Sequence, residues 1–535
     1  VADASLTFFA RSRSSVRVRW ILYALLVVGI AGVALRIEGY STRLFWTDEA
    51  ITALRTAGYT GAQFTAAMQN GRPHTVTDVM HYAGRGSDRP IRDVVHSLAL
   101  EDAQHPPVYY VITAVWTRIA GASIASLRLP ALIFGMLLPF AAGWLCFELY
   151  GTRYGALLGF ALSAVSPVFV IYSQQAREYG LWAVCMALST ALLLRAERTG
   201  ARGWWILYAI CGVASLYADV LFATVLISHA IYAAWRLRGA QLRAFAISAG
   251  ISVIAFIPWA IVMYEGRRAI ELSNAWTAGP WPLMMLLEKW VFNAGTTFFD
   301  LEYAHAILAI VLLPVFMLLA IAIIWNVAYA PERPRIMMTA MLAVPVVLLF
   351  LPDLVLHEHR SSVTRYGFAL WLSFIICVAG FLASRLQRRA KIVLWSAISA
   401  LLLVVELSSS AVDVGSPSWW DNHQDQTLPG VARVVNRTPS PLLVAPGRWA
   451  RILDLSFYLD PNVRILFVPS HAVVRPALQS PTFLIGIQQD ADAYERTFGN
   501  SALQFAYAGN ESNAQVRRFR NQAQDLDALS LWRFR

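Results

Sequence analysis

Long apolar stretches recur along this chain from residue 20 to about residue 409, each near the ~20 residues that a helix needs to cross ~30 Å of hydrocarbon. That repetition makes lipid, rather than water, the main solvent of the fold. The residue balance agrees. Hydrophobic residues fill 57% of 535 positions and charged residues only 14%, with a mean hydropathy of +0.51, whereas soluble domains are roughly one-quarter charged. The formal net charge of +11 is explained by loops that hold orientation in a membrane, so no nucleic-acid partner is expected. Cys146, Cys185, Cys211 and Cys377 all fall inside apolar spans, which indicates packing residues rather than a disulfide framework or a zinc site.

Spans are expected near residues 20–37, 126–148, 155–172, 179–195, 204–218, 219–235, 244–263, 305–326, 336–351, 366–384 and 391–409, eleven in all. The first follows Arg11, Arg13, Arg17 and Arg19 like a signal sequence, but it lacks a convincing cleavage site and is taken as retained. With the N-terminus cytoplasmic, every inner loop is basic: Arg153; Arg195, Arg198 and Arg202; Arg236, Arg238 and Arg243; Arg333 and Arg335; and Arg385, Arg388, Arg389 and Lys391. This is the positive-inside pattern. Outside lie 38–125, 173–178, 264–304, 352–365 and the tail from 412. Residues 107–120 are too short for a span and are expected to lie along the outer interface, with Tyr109, Tyr110 and Trp116 at the headgroups.

The expected architecture is therefore a multi-pass α-helical membrane domain, 1–411, and a small soluble α/β domain, 412–535. In the tail PLLVAP, VRILFVP and PTFLIGIQ are patterned as buried strands and QDADAYERTF as a helix. The acidic triplets Asp490 to Asp492 and Asp525 to Asp527 sit in polar helical surroundings and read as solvated surface.

Chemistry is sought on the outer side. Thr47 can cap a helix whose first turn holds Asp48 and Glu49. Dipole complementarity alone would explain the two acids, but so would a general base where the chain leaves the bilayer. The same loop ends in Glu101, Asp102 and His105 before Pro106 and Pro107. The prolines fix the imidazole, which could donate to an anion or bind a metal. Arg128, Arg177 and Arg365 stand at outer span ends, where a planar guanidinium suits phosphate oxygens. Any one alone could be snorkelling to headgroups. His357, Glu358, His359 and Arg360 share this face.

In order, Thr47-Asp48-Glu49-Ala50, His105-Pro106-Pro107-Val108-Tyr109-Tyr110, Leu127-Arg128-Leu129-Pro130, Tyr172-Ser173-Gln174-Gln175-Ala176-Arg177-Glu178-Tyr179 and Arg365-Tyr366 resemble the GT-C membrane glycosyltransferases. Within these they are most like the protein O-mannosyltransferases and the lipid A aminoarabinose transferase, glycosyltransferase family 39 in type. The resemblance runs from about residue 20 to 200, thins to 409 and carries no motif in the tail. It implies a polyprenyl-phosphate-linked sugar as donor, an active site at the outer face and a C-terminal exoplasmic domain. It also implies Asp48 as the base, Glu49 as its partner in the acidic pair, and His105, Arg128, Arg365 and Tyr366 on the lipid phosphate, with Arg177 near the pocket. Glu101, Asp102, Glu178, His357 and His359 are candidate acceptor or pocket residues.

Some relatives carry an acid further beyond the arginine. Here Glu178 follows Arg177 directly, which leaves a divalent metal open. The acceptor is a lipid, a glycan or a protein, and the loop 264–304, with Arg267, Arg268, Trp276, Trp281 and Trp290, either shapes its side of the site or anchors at the interface. Attack in line with a phosphate leaving group implies inversion at the anomeric carbon. A bacterial plasma membrane is the expected setting, with the tail outside. A transporter or flippase, or a glycan ligase using a pyrophosphate carrier, would share the outer arginines. A transporter would be expected to show repeated halves and mid-span charges, which the sequence lacks.

Overall fold

A computed structural model describes residues 2–84, 89–300, 308–388, 391–419, 422, 425–470, 472–476, 480–499, 502–507 and 529–535. Every expected span that it covers is helical. Seven helices are long and apolar enough to cross a membrane: Ile124–Tyr150, Tyr179–Thr199, Gly239–Glu265, Val311–Tyr329, Glu332–Leu356, Thr364–Leu386 and Ile392–Gly415. An eighth is the pair Arg153–Val165 and Pro167–Ser173, bent by 60°. The remaining expected spans are shorter helices: Arg19–Leu35 as the apolar part of the first helix, Arg202–Ala218 and Phe222–Arg236. Length and apolarity thus support seven or eight crossings among the described residues, rather than eleven outright.

Two helices form the centre. The apolar windows of Thr364–Leu386 and Tyr179–Thr199 are 94% and 89% buried, whereas that of Val311–Tyr329 is 17% buried and turns its isoleucines and leucines outward. The Tyr179 helix enters close against Ile124–Tyr150, where a Cβ on Gly180 would stand 2.9 Å from the Ala131 carbonyl oxygen. That approach sets the position of Arg177 and Glu178 just before it. The bent pair breaks at Ser166, since Pro167 lacks the amide that would continue the helix. The buried Arg36 guanidinium donates to the carbonyls of Ser163 and Ala164 there, supplying partners that a membrane interior cannot.

The segment expected to lie along the interface is a helix, Val108–Ala120. Its tyrosines point the other way from the expectation: Tyr109 and Tyr110 are buried, while Ile112, Val115 and Ile119 are exposed. An amphipathic helix on a protein surface turns its larger aromatic rings inward when a core is available to receive them.

The three apolar runs PLLVAP, VRILFVP and PTFLIGIQ form strands as expected, and two further tail strands, Leu503–Tyr507 and Ser530–Phe534, were not anticipated. The sheet holds β1 (His74–Thr75), β2 (Leu442–Pro446), β3 (Arg464–Val468), β4 (Thr482–Gly486), β5 (Leu503–Tyr507) and β6 (Ser530–Phe534) in the order β1-β3-β2-β4-β6-β5. Strand β2 runs parallel to both β3 and β4, and the other pairings are antiparallel. The edge strand β1 comes from the segment between the first helix and Ile124–Tyr150, and Phe45, Leu54 and Phe64 share one core with Leu443, Ile465 and Phe467. The tail therefore does not pack alone as 412–535 suggested. Asp490 lies near the start of the helix Gln488–Phe498, accepting from the Ile487 amide and pairing with Arg448 at 3.0 Å. The triplet at 525–527 lies outside the described residues.

Candidate active site

The acids and arginines singled out in the sequence lie on five segments: the helix Thr47–Thr56, the turn 102–107, the start of Ile124–Tyr150, the turn 174–178 and the start of Thr364–Leu386. Their roles in the structure differ sharply.

Glu49 and Arg128 are both fully buried and joined by two hydrogen bonds, Nη2 to Oε2 at 2.6 Å and Nε to Oε1 at 2.7 Å. The remaining guanidinium hydrogens go to the carbonyls of Tyr40, Arg43 and Leu44. A guanidinium has five N–H groups, and all five are engaged. The expected phosphate ligand at Arg128 is thus a saturated internal brace. Glu49 also accepts from the Ala176 amide at 2.6 Å, tying the acid helix to the turn that bears Arg177.

Asp48, the next residue along, is different. Its carboxylate is 26% exposed and lies 3.7 Å from Arg365 Nη2, with Tyr366, Tyr179 and Arg177 within its electrostatic reach. Arg365 is 13% exposed and its guanidinium stands over the rings of Trp276 and Tyr366.

Beside this pair lies a second set. His105 Nδ1 is 2.9 Å from Glu178 Oε1, and Arg177 Nη2 is 3.3 Å from His105 Nε2 and 3.2 Å from Glu178. An arginine can only donate, so the imidazole accepts at Nε2 and donates from Nδ1. Tyr110 donates its hydroxyl to the other Glu178 oxygen at 3.3 Å. Burial pushes the Glu178 carboxyl upward, but the Arg177 charge and the hydrogen bond from His105 outweigh it and hold it at about 2. Glu178 is therefore an anion that orients His105. Arg177 keeps its Nε–H without a partner.

Glu101 and Asp102 do not face this space as open pocket acids. Arg55 takes both, Nη2 to Glu101 at 2.7 Å and Nε to Asp102 at 2.5 Å. Glu101 further accepts from the amides of Gly61 and Ala62 at the start of the helix Gly61–Met68. The pairing joins the acid helix to the chain entering His105-Pro106-Pro107. His357 and His359 are also elsewhere. His357 is exposed in a left-handed conformation, φ 56°, at the end of Leu351–Leu356. His359 stacks on Trp281 at 4.3 Å and binds the Gly279 carbonyl, pinning one outer loop to another. Among the described residues no group of three or more His, Cys, Asp or Glu side chains could hold a metal ion.

Two residues were missed in the sequence. Arg55 looked like an ordinary helix residue, and nothing local points to acids 46 and 47 positions away. Asp219, inside an expected span, instead lies in the turn before Phe222–Arg236. It is buried, accepts from the Leu221 amide at 2.8 Å and faces Glu178, His105 and Arg177. Burial and the Glu178 charge raise its carboxyl to about 7. Its signal was a lone acid between two apolar runs.

The comparisons with known proteins bear on this helical domain and its mixed sheet. The family model described as dolichyl-phosphate-mannose-protein mannosyltransferase matches residues 104–264, a stretch holding His105, Arg128, Arg177, Glu178 and Asp219. Among solved structures, ArnT from Cupriavidus metallidurans bound to undecaprenyl phosphate matches with a TM-score of 0.56 at 13% identity, over 96% of this chain and 97% of that one. Its apo state matches with a TM-score of 0.54 at 12% identity, over 97% and 98%. No curated protein matches the chain in sequence. The chain shares its fold with these ArnT structures.

Proposed function

We propose that this protein transfers a sugar from a polyprenyl-phosphate donor to an acceptor hydroxyl at the outer face of a bacterial plasma membrane, with Asp48 as general base. The observation that carries this reading is selective engagement. Glu49, Glu101, Asp102 and Glu178 are each held by an arginine at 2.5 to 3.2 Å, whereas the Asp48 carboxylate stands 3.7 Å from Arg365 and is 26% exposed. The ArnT match was made to a structure holding undecaprenyl phosphate, which supports a lipid of that class here.

In this reading Asp48 takes the acceptor proton as the acceptor oxygen attacks the anomeric carbon. The bond from that carbon to the phosphate oxygen breaks, the configuration inverts and polyprenyl phosphate leaves. Arg365, Tyr366 and Arg177 supply the hydrogen-bond donors where negative charge grows, and His105, held by Glu178, fixes the Arg177 guanidinium. Arg128 and Glu49 brace the backbone that presents Asp48. The lipid carries the activated sugar, so the reaction uses no nucleotide. The N-terminus lies in the cytoplasm and the mixed sheet outside.

The test is binding and turnover of polyprenyl-phosphate sugars by purified wild type, Asp48→Asn and Arg365→Ala. Release of polyprenyl phosphate by the wild type, donor binding without turnover by Asp48→Asn and weakened donor binding by Arg365→Ala are the expected results. Wild-type turnover matched by Asp48→Asn removes the base assignment. Turnover with only pyrophosphate carriers makes the protein a glycan ligase, and movement of a lipid-linked sugar without transfer makes it a flippase.

A further inference from the structure

The helix that carries Asp48 cannot cap itself. The first amides of a helix have no partner within it, and a Ser, Thr, Asp or Asn just ahead normally supplies one. Here Trp46 occupies that position with no side-chain acceptor. Thr47, expected to cap, lies one residue too far along. The acceptor comes from the tail instead. Asp425 Oδ2 receives the Thr47 amide at 3.0 Å, across 378 residues of sequence.

The residues just before the helix are held the same way. The Phe45 amide donates to the Tyr458 hydroxyl at 2.5 Å, and that hydroxyl contacts the Phe45 carbonyl at 3.0 Å. The Phe45 ring packs on Phe457 with centroids 4.4 Å apart, and the Leu44 amide reaches the Pro417 carbonyl at 3.0 Å. On the opposite side Arg128 holds the carbonyls of Tyr40, Arg43 and Leu44. The backbone leading to Asp48 is thus gripped from the membrane domain and from the tail. Asp425 itself is buried, with Arg451 3.9 Å from its other oxygen. A carboxylate at this place also complements the positive end of the helix dipole.

From this geometry we infer that Asp425 and Tyr458 are positioning residues for Asp48, so that the tail completes the active site rather than merely covering it. The inference rests on the assignment of Asp48 as the base. Its test is made on the full chain with Asp425→Ala, Asp425→Asn, Tyr458→Phe and Asp48→Asn, measuring turnover, donor-binding stoichiometry and amide exchange over residues 47–52.

Asp425→Ala is expected to lower kcat about 10- to 100-fold, the scale of a misplaced catalytic group, with donor KM and the number of donor sites unchanged. Asn keeps an acceptor oxygen, so Asp425→Asn should recover most of the lost turnover. Exchange over 47–52 should rise in the alanine variant and stay near wild type in the asparagine variant. Tyr458→Phe removes one hydroxyl with little change in volume and should reproduce the kcat loss more weakly, even if Asp425→Ala fails to fold. Turnover lost only in proportion to donor sites, or exchange over 47–52 unchanged in both Asp425→Ala and Tyr458→Phe, overturns the inference. If Asp48→Asn turns over normally, the base assignment falls by itself, and the exchange result still decides whether the tail holds this helix.

Discussion

In the orientation proposed above, the inner and outer ends of the membrane domain are built from the same residue types and use them in opposite ways. At the inner end Glu197 accepts from Arg333 at 2.8 Å, Arg236 at 3.2 Å and Tyr232 at 2.5 Å. Glu148 there gathers Arg198, Arg195 and Trp144. Each acid is a hub that ties helix ends together, and Arg236 and Arg198 remain substantially exposed. At the outer end the arginines are buried further. Arg128 and Arg55 are consumed by Glu49, Glu101 and Asp102 at 2.5 to 2.7 Å, yet one acid of the set, Asp48, stands 3.7 Å from its arginine.

Substitution should break this comparison most strongly at Asp48. Asp48→Asn is expected to lower turnover about 10²- to 10⁴-fold, while Glu197→Gln at the inner end leaves sugar transfer intact; steady-state release of polyprenyl phosphate measures both. Next is Arg128→Met, which strands the buried Glu49 charge. Removing one partner of such a pair destabilises a protein by about 3 to 5 kcal/mol, visible as a lower Tm in detergent, and Glu49→Gln made on top of it should recover part of the loss.

A smaller effect is expected at Arg365, where alanine should weaken donor binding about tenfold, in keeping with a charged hydrogen bond worth about 1.5 to 3 kcal/mol. Asp219 sharpens the contrast through pH. Its folded carboxyl titrates at about 7 against 3.8 for the ordinary group, so across that window the unfolded chain has lost a proton that the folded one keeps. Stability from this group therefore falls as pH rises towards about 7. The Tm advantage of Asp219→Asn over wild type should grow across that range and then level off. The smallest effect belongs to the inner end. Arg236→Ala should change stability by less than about 1 kcal/mol, measured by the same thermal melts.

How much of this was legible varies with distance along the chain. The helical spans and the strands β2, β3 and β4 were legible because hydropathy and β-propensity act over a few residues. Their boundaries were less so: the sequence reading placed Asp219 at the start of a span, whereas Phe222 begins the helix. The convergence of Asp48, His105, Arg177 and Arg365 was legible once topology put their segments on one side. What each residue does there was not. Arg128 and Arg365 read alike as arginines at outer span ends, yet only Arg128 finds an acid 79 residues away and three spare carbonyls.

The sequence by itself determined that this chain lives in a membrane, which of its loops are basic and which residue types can meet on the other side. These follow from local composition, since lipid selects apolar lengths and orientation selects arginine placement. Tertiary structure alone decided which charges are spent and which remain. Saturating Arg128, clamping Arg55 and capping the Asp48 helix from Asp425 all depend on partners brought together from 46 to 378 positions apart, and a hydrogen bond is set by geometry at about 3 Å, which no local pattern encodes.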